Sequence, residues 1–353
     1  MRAANANFNA GAADGQHPSI PEVSVAVASH ERPVRLRWLL NALEEQTLDA
    51  GSFEVIVCHD ARGPETETLL QTHPLAATGR LRHLHRAPGT GTASIQRNLA
   101  WRAARAPLVA FTDDDCRPAR EWLERLVAAA RRHPEAVLQG TIEPDPAEAG
   151  LLVMANHVRT QRMDSPSPWA QGGNVAYPRA LLERLGGFDE CLSSCGEDVD
   201  LVRRAAELGA PRVGVPGARM RHGVEVLCLP RVLGLTWRSR QLPRVVRRHP
   251  DLRRHLTLGF FWRPSHAWLT GALVLMSTLG LRDGQRSGAR AGRRGWLAAL
   301  VLTPWLSEVM PARGPTLRGR VRALCELPGR ALIDAAELAV LASGSMRERS
   351  LLL

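Results

Sequence analysis

A chain of 353 residues with 44% hydrophobic and 23% charged content has the composition of an ordinary globular protein and can bury a large core. Its net charge of +11, with all 46 basic residues arginine, and its pI near 10.9 suggest phosphate-bearing partners: nucleic acid, anionic lipid or nucleotides. Six cysteines, at positions 58, 116, 191, 195, 228 and 325, form no CxxC pair, so zinc and disulfide frameworks are not expected; reduced thiols in a cytoplasmic compartment are.

Residues 1–20 lack an apolar signal-peptide core and read as a disordered lead. VSVAVAS then reads as a buried strand, PVRLRWLLNALEEQ as a helix, FEVIVCHD as a second strand and Glu65 to Thr72 as a short helix. LRHLH suggests a third strand, and TASIQRNLAWRAAR a helix with Ile95, Leu99 and Ala103 on one side. The strand PLVAFT runs into Asp113, Asp114 and Asp115, and the helix REWLERLVAAARRH follows. Such alternation predicts an α/β layer sandwich with a largely parallel sheet, in which ligands bind beyond the carboxyl ends of the strands. His59–Asp60 and the three aspartates fall at such ends.

Beyond Gly140 the alternation loosens. PDPAEAG reads as a connection, WAQGGNVAYP as a strand with a flexible start, and ALLERLGGFDE and GEDVDLVRRAAELG as helical stretches. The second of these opens on two acids, which suits the positive end of a helix dipole. PRVGVP and ARMRHG read as short extended pieces. From Val224 the chain becomes Arg-rich and helical, with apolar blocks near 266–281 and 296–310.

Two like charges about 4 Å apart repel by roughly 4 kcal/mol at an effective dielectric near 20, so three consecutive aspartates call for water, a cation or a basic partner. In an extended segment Asp113 and Asp115 project to one side and Asp114 to the other. The pair Glu197–Asp198 and the later His222 supply further oxygen and nitrogen donors, a set suited to a divalent cation.

The ordered runs SVAVASHERP, FEVIVCHD, ASIQRNLAWRAARAPLVAFTDDDCRP and GGNVAYPRALLERLGGFDECLSSCGEDVDLVRRAAELG resemble an inverting family 2 glycosyltransferase of the GT-A fold, over roughly Val23 to His222. The resemblance implies a Rossmann-like α/β/α sandwich at 21–223, with an α-helical extension at 224–353. It implies that Ser29, Glu31 and Arg32 meet the nucleotide, that Asp60 binds the base, and that Arg97 and Asp114 lie near the nucleotide and diphosphate. Asp113 and Asp115 match the DxD that contacts a divalent cation (Mn2+ or Mg2+), with His222 as a late metal or phosphate ligand. Asp198 matches the general base, Glu197 lies beside it, and Trp169, Gly172, Gly173 and Asn174 fall in the acceptor region. The implied reaction is single displacement from a nucleotide sugar to a hydroxyl of a lipid-linked, glycan or small-molecule acceptor in envelope or glycoconjugate synthesis.

The chain departs from the family in having HDARG where DDGS or DNxS is usual, and it lacks the QxxRW of processive synthases. A catalytically silent carbohydrate- or nucleotide-binding protein on the same fold is the competing reading. A nucleic-acid binder is disfavoured by one tyrosine and by arginine spread along the chain. The apolar blocks, each reaching about 24 Å, fall short of a ~30 Å hydrocarbon core. With arginines on both flanks, including Arg282, Arg286, Arg290, Arg293 and Arg294, they suggest helices lying in an anionic cytoplasmic membrane face, anchored by Trp262, Trp268, Trp296 and Trp305.

Overall fold

The runs VSVAVAS and FEVIVCH are apolar at nearly every position because both strands are covered on both faces. In the computed structural model, which describes residues 20–169, 172–281, 303–308 and 313–353, they form β1 (Val23–Ser29) and β2 (Phe53–His59). With β3 (Leu81–His85) and β4 (Leu108–Asp113) they build a parallel half-sheet in the order β3-β2-β1-β4. Between these strands lie α1 (Pro33–Glu44), α2 (Pro64–Thr72), the one-turn α3 (Pro74–Ala77) and α4 (Ala93–Arg102). Pro33 and Pro64 open their helices at the position where a missing N–H costs nothing.

The chain continues through β5 (Cys116–Pro118), α5 (Trp122–Arg132), β6 (Val137–Pro144), α6 (Ala149–Met154), β7 (His157–Arg159), β8 (Val175–Pro178), α7 (Arg179–Leu185), α8 (Glu197–Glu207) and β9 (Arg212–His222). The full sheet runs β3-β2-β1-β4-β8-β6-β9-β5, with β8 and β5 antiparallel to the rest. Side chains alternate across it. Val23, Val25 and Val27 pack under Leu36, Leu39, Trp122 and Leu126, while Ala26, Ile56 and Cys58 pack under Ala100, Trp101, Leu181 and Leu201. The result is the expected α/β/α sandwich.

Three local expectations differ. VLQGTIEP is a strand that the pattern hid, because Gln139 lies fully buried in its middle and accepts from the Ser167 N–H at 2.9 Å. PRVGVP and ARMRHG are one strand, β9, of 11 residues. On α4 the side with Ile95 and Leu99 is only half-buried, whereas Gln96, Arg97 and Asn98 are buried.

The chain divides into two compact units, Met1–Ala149 with Arg159–Glu225, and Gly150–Val158 with Val226–Leu353. The second is helical: α9 (Leu229–Thr236), α10 (Leu242–Arg248), α11 (Pro264–Leu281), a short helix at 303–308, and α12 (Leu317–Glu348), which packs on α9, α10 and α11. Its last residues are pinned, Leu353 donating to the Phe260 carbonyl at 2.8 Å and accepting from the Trp262 N–H at 2.6 Å. Among the described residues no helix is long and apolar enough to cross a membrane. Trp296, the five connector arginines and most of 296–310 lie outside the described residues. Trp305 is buried and donates to Asp334 at 2.9 Å, so it is a packing residue and not a lipid anchor.

Candidate active site

Parallel pairing aligns the carboxyl ends of β1, β2 and β4, with Ala28 opposite Asp113 and Ser29 opposite His59. The chain turns at Asp114 and Asp115 and returns as β5, whose Cys116 pairs with His222 at the end of β9. Strand pairing therefore brings a histidine from more than a hundred residues away to the acidic turn, with its Nε2 at 3.4 Å from Asp115 Oδ1.

Two arginines neutralise the acids. Arg97 Nη2 donates to Asp113 Oδ1 at 2.7 Å, and its Nη1 donates to Glu197 Oε1 at 2.9 Å and Asp198 Oδ1 at 3.1 Å. Arg32 Nη1 donates to Asp115 Oδ2 at 2.6 Å and lies 3.5 Å from Asp114. Burial alone would raise the Asp113 carboxyl, but the Arg97 charge and hydrogen bond outweigh it and hold it below the usual range. Burial, reinforced by the Asp115 charge, pushes Asp114 up to about 7 despite its bonds from the Ser29 hydroxyl (2.9 Å) and the His30 N–H (3.1 Å).

Glu197 and Asp198 open α8 directly after Gly196, whose left-handed φ of 86° turns the chain into the helix. Asp198 Oδ2 accepts from the Gly172 N–H at 2.8 Å. A Cβ on Gly172 would lie 2.5 Å from Asp198 Oδ1, so only glycine lets the backbone approach this carboxylate. Burial pushes Asp198 up to about 7; Arg97 opposes the rise, and Glu197 and Asp113 add to it. A carboxylate poised there is suited to take a proton at neutral pH.

Donor atoms of Asp113, Asp115, Cys116 and His222 all lie within 4.8 Å of one another, a spacing that fits one cation. His222 Nδ1 lies 2.8 Å from the Gly223 carbonyl, which can only accept, so Nδ1 donates there and Nε2 is the ring nitrogen turned to the acids. Burial pushes the Cys116 thiol well up, which leaves two carboxylates and one imidazole as the effective donors.

The residues expected to meet the nucleoside are already engaged with the chain itself. Asp60 is fully buried and accepts from His30 Nδ1 (2.7 Å), Gln96 Nε2 (2.9 Å) and the Gly91 N–H (3.0 Å). Glu31 sits at φ 53° and accepts from the Arg62 N–H at 3.0 Å. His59, in place of the usual acid, stacks on His85 with ring centroids 4.7 Å apart; burial, with His85 adding, pushes it down to about 4. Gly173 lies beside Asp113. Asn174, expected near the acceptor, is instead a strut: fully buried, it donates to the Thr141 and Ala218 carbonyls and accepts from Trp122 Nε1 at 2.8 Å. Trp169 is half-buried in the loop before Gly172.

Sequence reasoning passed over three residues. Gln96 and His30 hold Asp60, and Asn98 bonds both the N–H and the carbonyl of Phe188 at 2.9 Å. For Gln96 and Asn98 the signal was their place on either side of Arg97 in one helical turn.

Residues 24–186 match the model of the Glycosyl transferase family 2 family. The chain is 25% identical over 299 residues to the validoxylamine A glucosyltransferase of Streptomyces hygroscopicus subsp. jinggangensis, covering 73% of this chain and 67% of that protein. It is 26% identical over 225 residues to the O-antigen biosynthesis protein RfbC of Myxococcus xanthus, covering 57% of this chain and 17% of that protein. Among solved structures it shares its fold with the mannosyltransferase PcManGT from Pyrobaculum calidifontis, in complex with GDP-Man and Mn2+, at a TM-score of 0.51 and 18% identity over 94% of this chain and 88% of that one. Fold, ordered motifs and matched segment agree: residues 24–186 carry the match to glycosyltransferase family 2, and the chain has the GT-A fold.

Proposed function

We propose that this enzyme moves a sugar from a nucleoside-diphosphate sugar to an acceptor hydroxyl by a single displacement with inversion, using a divalent cation. The observation that carries the reading is the single guanidinium of Arg97, which joins Asp113 of the acidic turn to Asp198 of α8. It sets the diphosphate side and the base side of a transfer site one side chain apart. Asp113, Asp115 and His222 would hold the cation, which when bound supplies a Lewis acid for the departing diphosphate. Asp198, fixed by the Gly172 N–H and Arg97, takes the acceptor proton as the hydroxyl attacks. Arg32 and Arg97 add fixed positive charge where the leaving group gains negative charge.

A thermal-shift series with UDP-, GDP- and dTDP-sugars, each with and without manganese, tests this. Stabilisation by one nucleotide class only with the cation is expected, together with its loss in Asp115→Asn. Equal nucleotide binding in EDTA would overturn the metal assignment. Hydrolysis of the stabilising donor separates an enzyme from a silent binding protein.

We further place the enzyme peripherally at the cytoplasmic face of an anionic membrane, acting on a lipid-linked or membrane-proximal acceptor in envelope or glycoconjugate synthesis. The scatter of six cysteines without a CxxC pair, the net charge of +11 and the O-antigen role named for one relative support this placement.

A further inference from the structure

Helix α12 carries its polarity inside out. Its buried face holds Glu326, Asp334 and Glu337, each with a partner inside the helical unit. Glu326 accepts from Arg313 Nε at 2.9 Å and Arg322 Nε at 3.2 Å, Asp334 from Trp305 Nε1 at 2.9 Å, and Glu337 from the Ser239 hydroxyl at 3.1 Å. The opposite face is exposed and uncharged. Leu317, Val321, Leu324, Cys325, Pro328 and Leu332 succeed one another at helical spacing, with Leu317 80%, Leu324 53% and Leu332 49% exposed. A soluble helix that buries its acids and shows water its leucines inverts the usual amphipathic order, and exposed apolar surface of this extent marks an interaction site.

Charge indicates what covers it. Between Val226 and Leu353 the chain has twenty-one arginines against seven acids, whereas the rest of the chain has slightly more acids than arginines. On α12 itself Arg318 and Arg320 are exposed on either side of the apolar stripe, Arg347 and Arg349 are exposed at its far end, and no acid lies on the stripe. An apolar line with flanking arginines, about 24 Å long from Leu317 to Leu332 at 1.5 Å per residue, is complementary to the boundary between acyl chains and anionic headgroups. Arg322 also bonds the Met154 carbonyl, holding α6 at this end of α12 with Val153 and Met154 exposed.

We infer that the outer face of α12, from Leu317 to Leu332, is the surface by which the protein lies on an anionic bilayer. The inference rests on the peripheral placement proposed above and assigns the contact to this helix.

The test uses the full chain and vesicles of phosphatidylcholine with and without phosphatidylglycerol. The parent should float with the anionic vesicles, and the double variant Leu324→Glu/Leu332→Glu should lose at least tenfold in bound fraction at an unchanged thermal midpoint. A solvatochromic probe on Cys325, in a protein whose Cys191, Cys195 and Cys228 are serine, should blue-shift with anionic vesicles and be quenched by quencher-bearing lipid. If the parent floats while the double variant floats equally or the probe stays silent, this face is wrong and the peripheral placement stands. If the parent does not float, the placement fails and the inference with it. A drop in thermal midpoint in the double variant shows that the chain itself covers the face, and a change from dimer to monomer shows that a second copy does; either overturns the inference.

Discussion

Arg97 draws together Asp113, Glu197 and Asp198, acids up to 101 positions away in sequence. Burial, with the Glu197 and Asp113 charges adding to it and Arg97 opposing, leaves Asp198 with a pKa raised from 3.8 to about 7, and the sign has two consequences. As the proposed base, Asp198 acts in its ionised form, so turnover should rise with pH to a plateau above about 7 and fall about tenfold per pH step below it. In folding, protonation favours the native state: the stabilising contribution is fully present below about 3.8 and is lost as pH rises through about 7. Asp198→Asn, which stays neutral, should therefore melt above the parent at pH 8 in EDTA and level with it near pH 4. The same variant should lose roughly 10²–10⁴ in turnover while binding donor normally. Calorimetry and steady-state rates read both, and a variant that is destabilised and still active would make Asp198 merely a helix-opening acid.

Helix α4 explains why its motif reads as Gln-Arg-Asn. Three consecutive buried polar residues serve three different partners: Asp60, the acids around the turn, and the Phe188 backbone. Gly187, at φ 81°, lets that backbone close on Asn98, since a Cβ there would sit 2.3 Å from Asn98 Oδ1. Gly187→Ala should cost at least about 1–3 kcal/mol from backbone strain alone, and Asn98→Ala about 1–3 kcal/mol for buried groups left unbonded. Chemical denaturation measures both; a neutral Asn98→Ala would mean the Phe188 loop is not held by α4. The β1, β2 and β4 ends and the acids of α8 were legible because apolar runs and helix-opening acids are local signals. The β5–β9 pairing that brings His222 to Asp115, and the commitment of Asn174 to Trp122, depend on contacts between distant residues that no local pattern encodes. Strand β6 stayed hidden for the same reason, since Gln139 is satisfied by a loop and not by its neighbours in sequence.

Charge at the scale of the molecule is divided between the two units. The sheet unit, which holds the acidic site, has a slight excess of acids, and the helical unit carries the whole positive surplus behind the net +11. The surplus therefore has little to do with the acidic site, whose two arginines, Arg97 and Arg32, both belong to the sheet unit. It belongs to long-range attraction, which salt screens: the Debye length shrinks from about 10 Å at 0.1 M to about 3 Å at 1 M. Each arginine near an anionic surface contributes about 1 kcal/mol at ordinary ionic strength, so several acting together bind tightly only while unscreened. Raising sodium chloride from 0.1 to 1 M should release the protein from anionic vesicles by at least tenfold. Over the same range donor hydrolysis should change by no more than about threefold, because buried ion pairs are screened far less than exposed ones. Parallel flotation and hydrolysis series decide it. If both fall together, the positive surplus serves the donor site, and the division of labour between the two units is wrong.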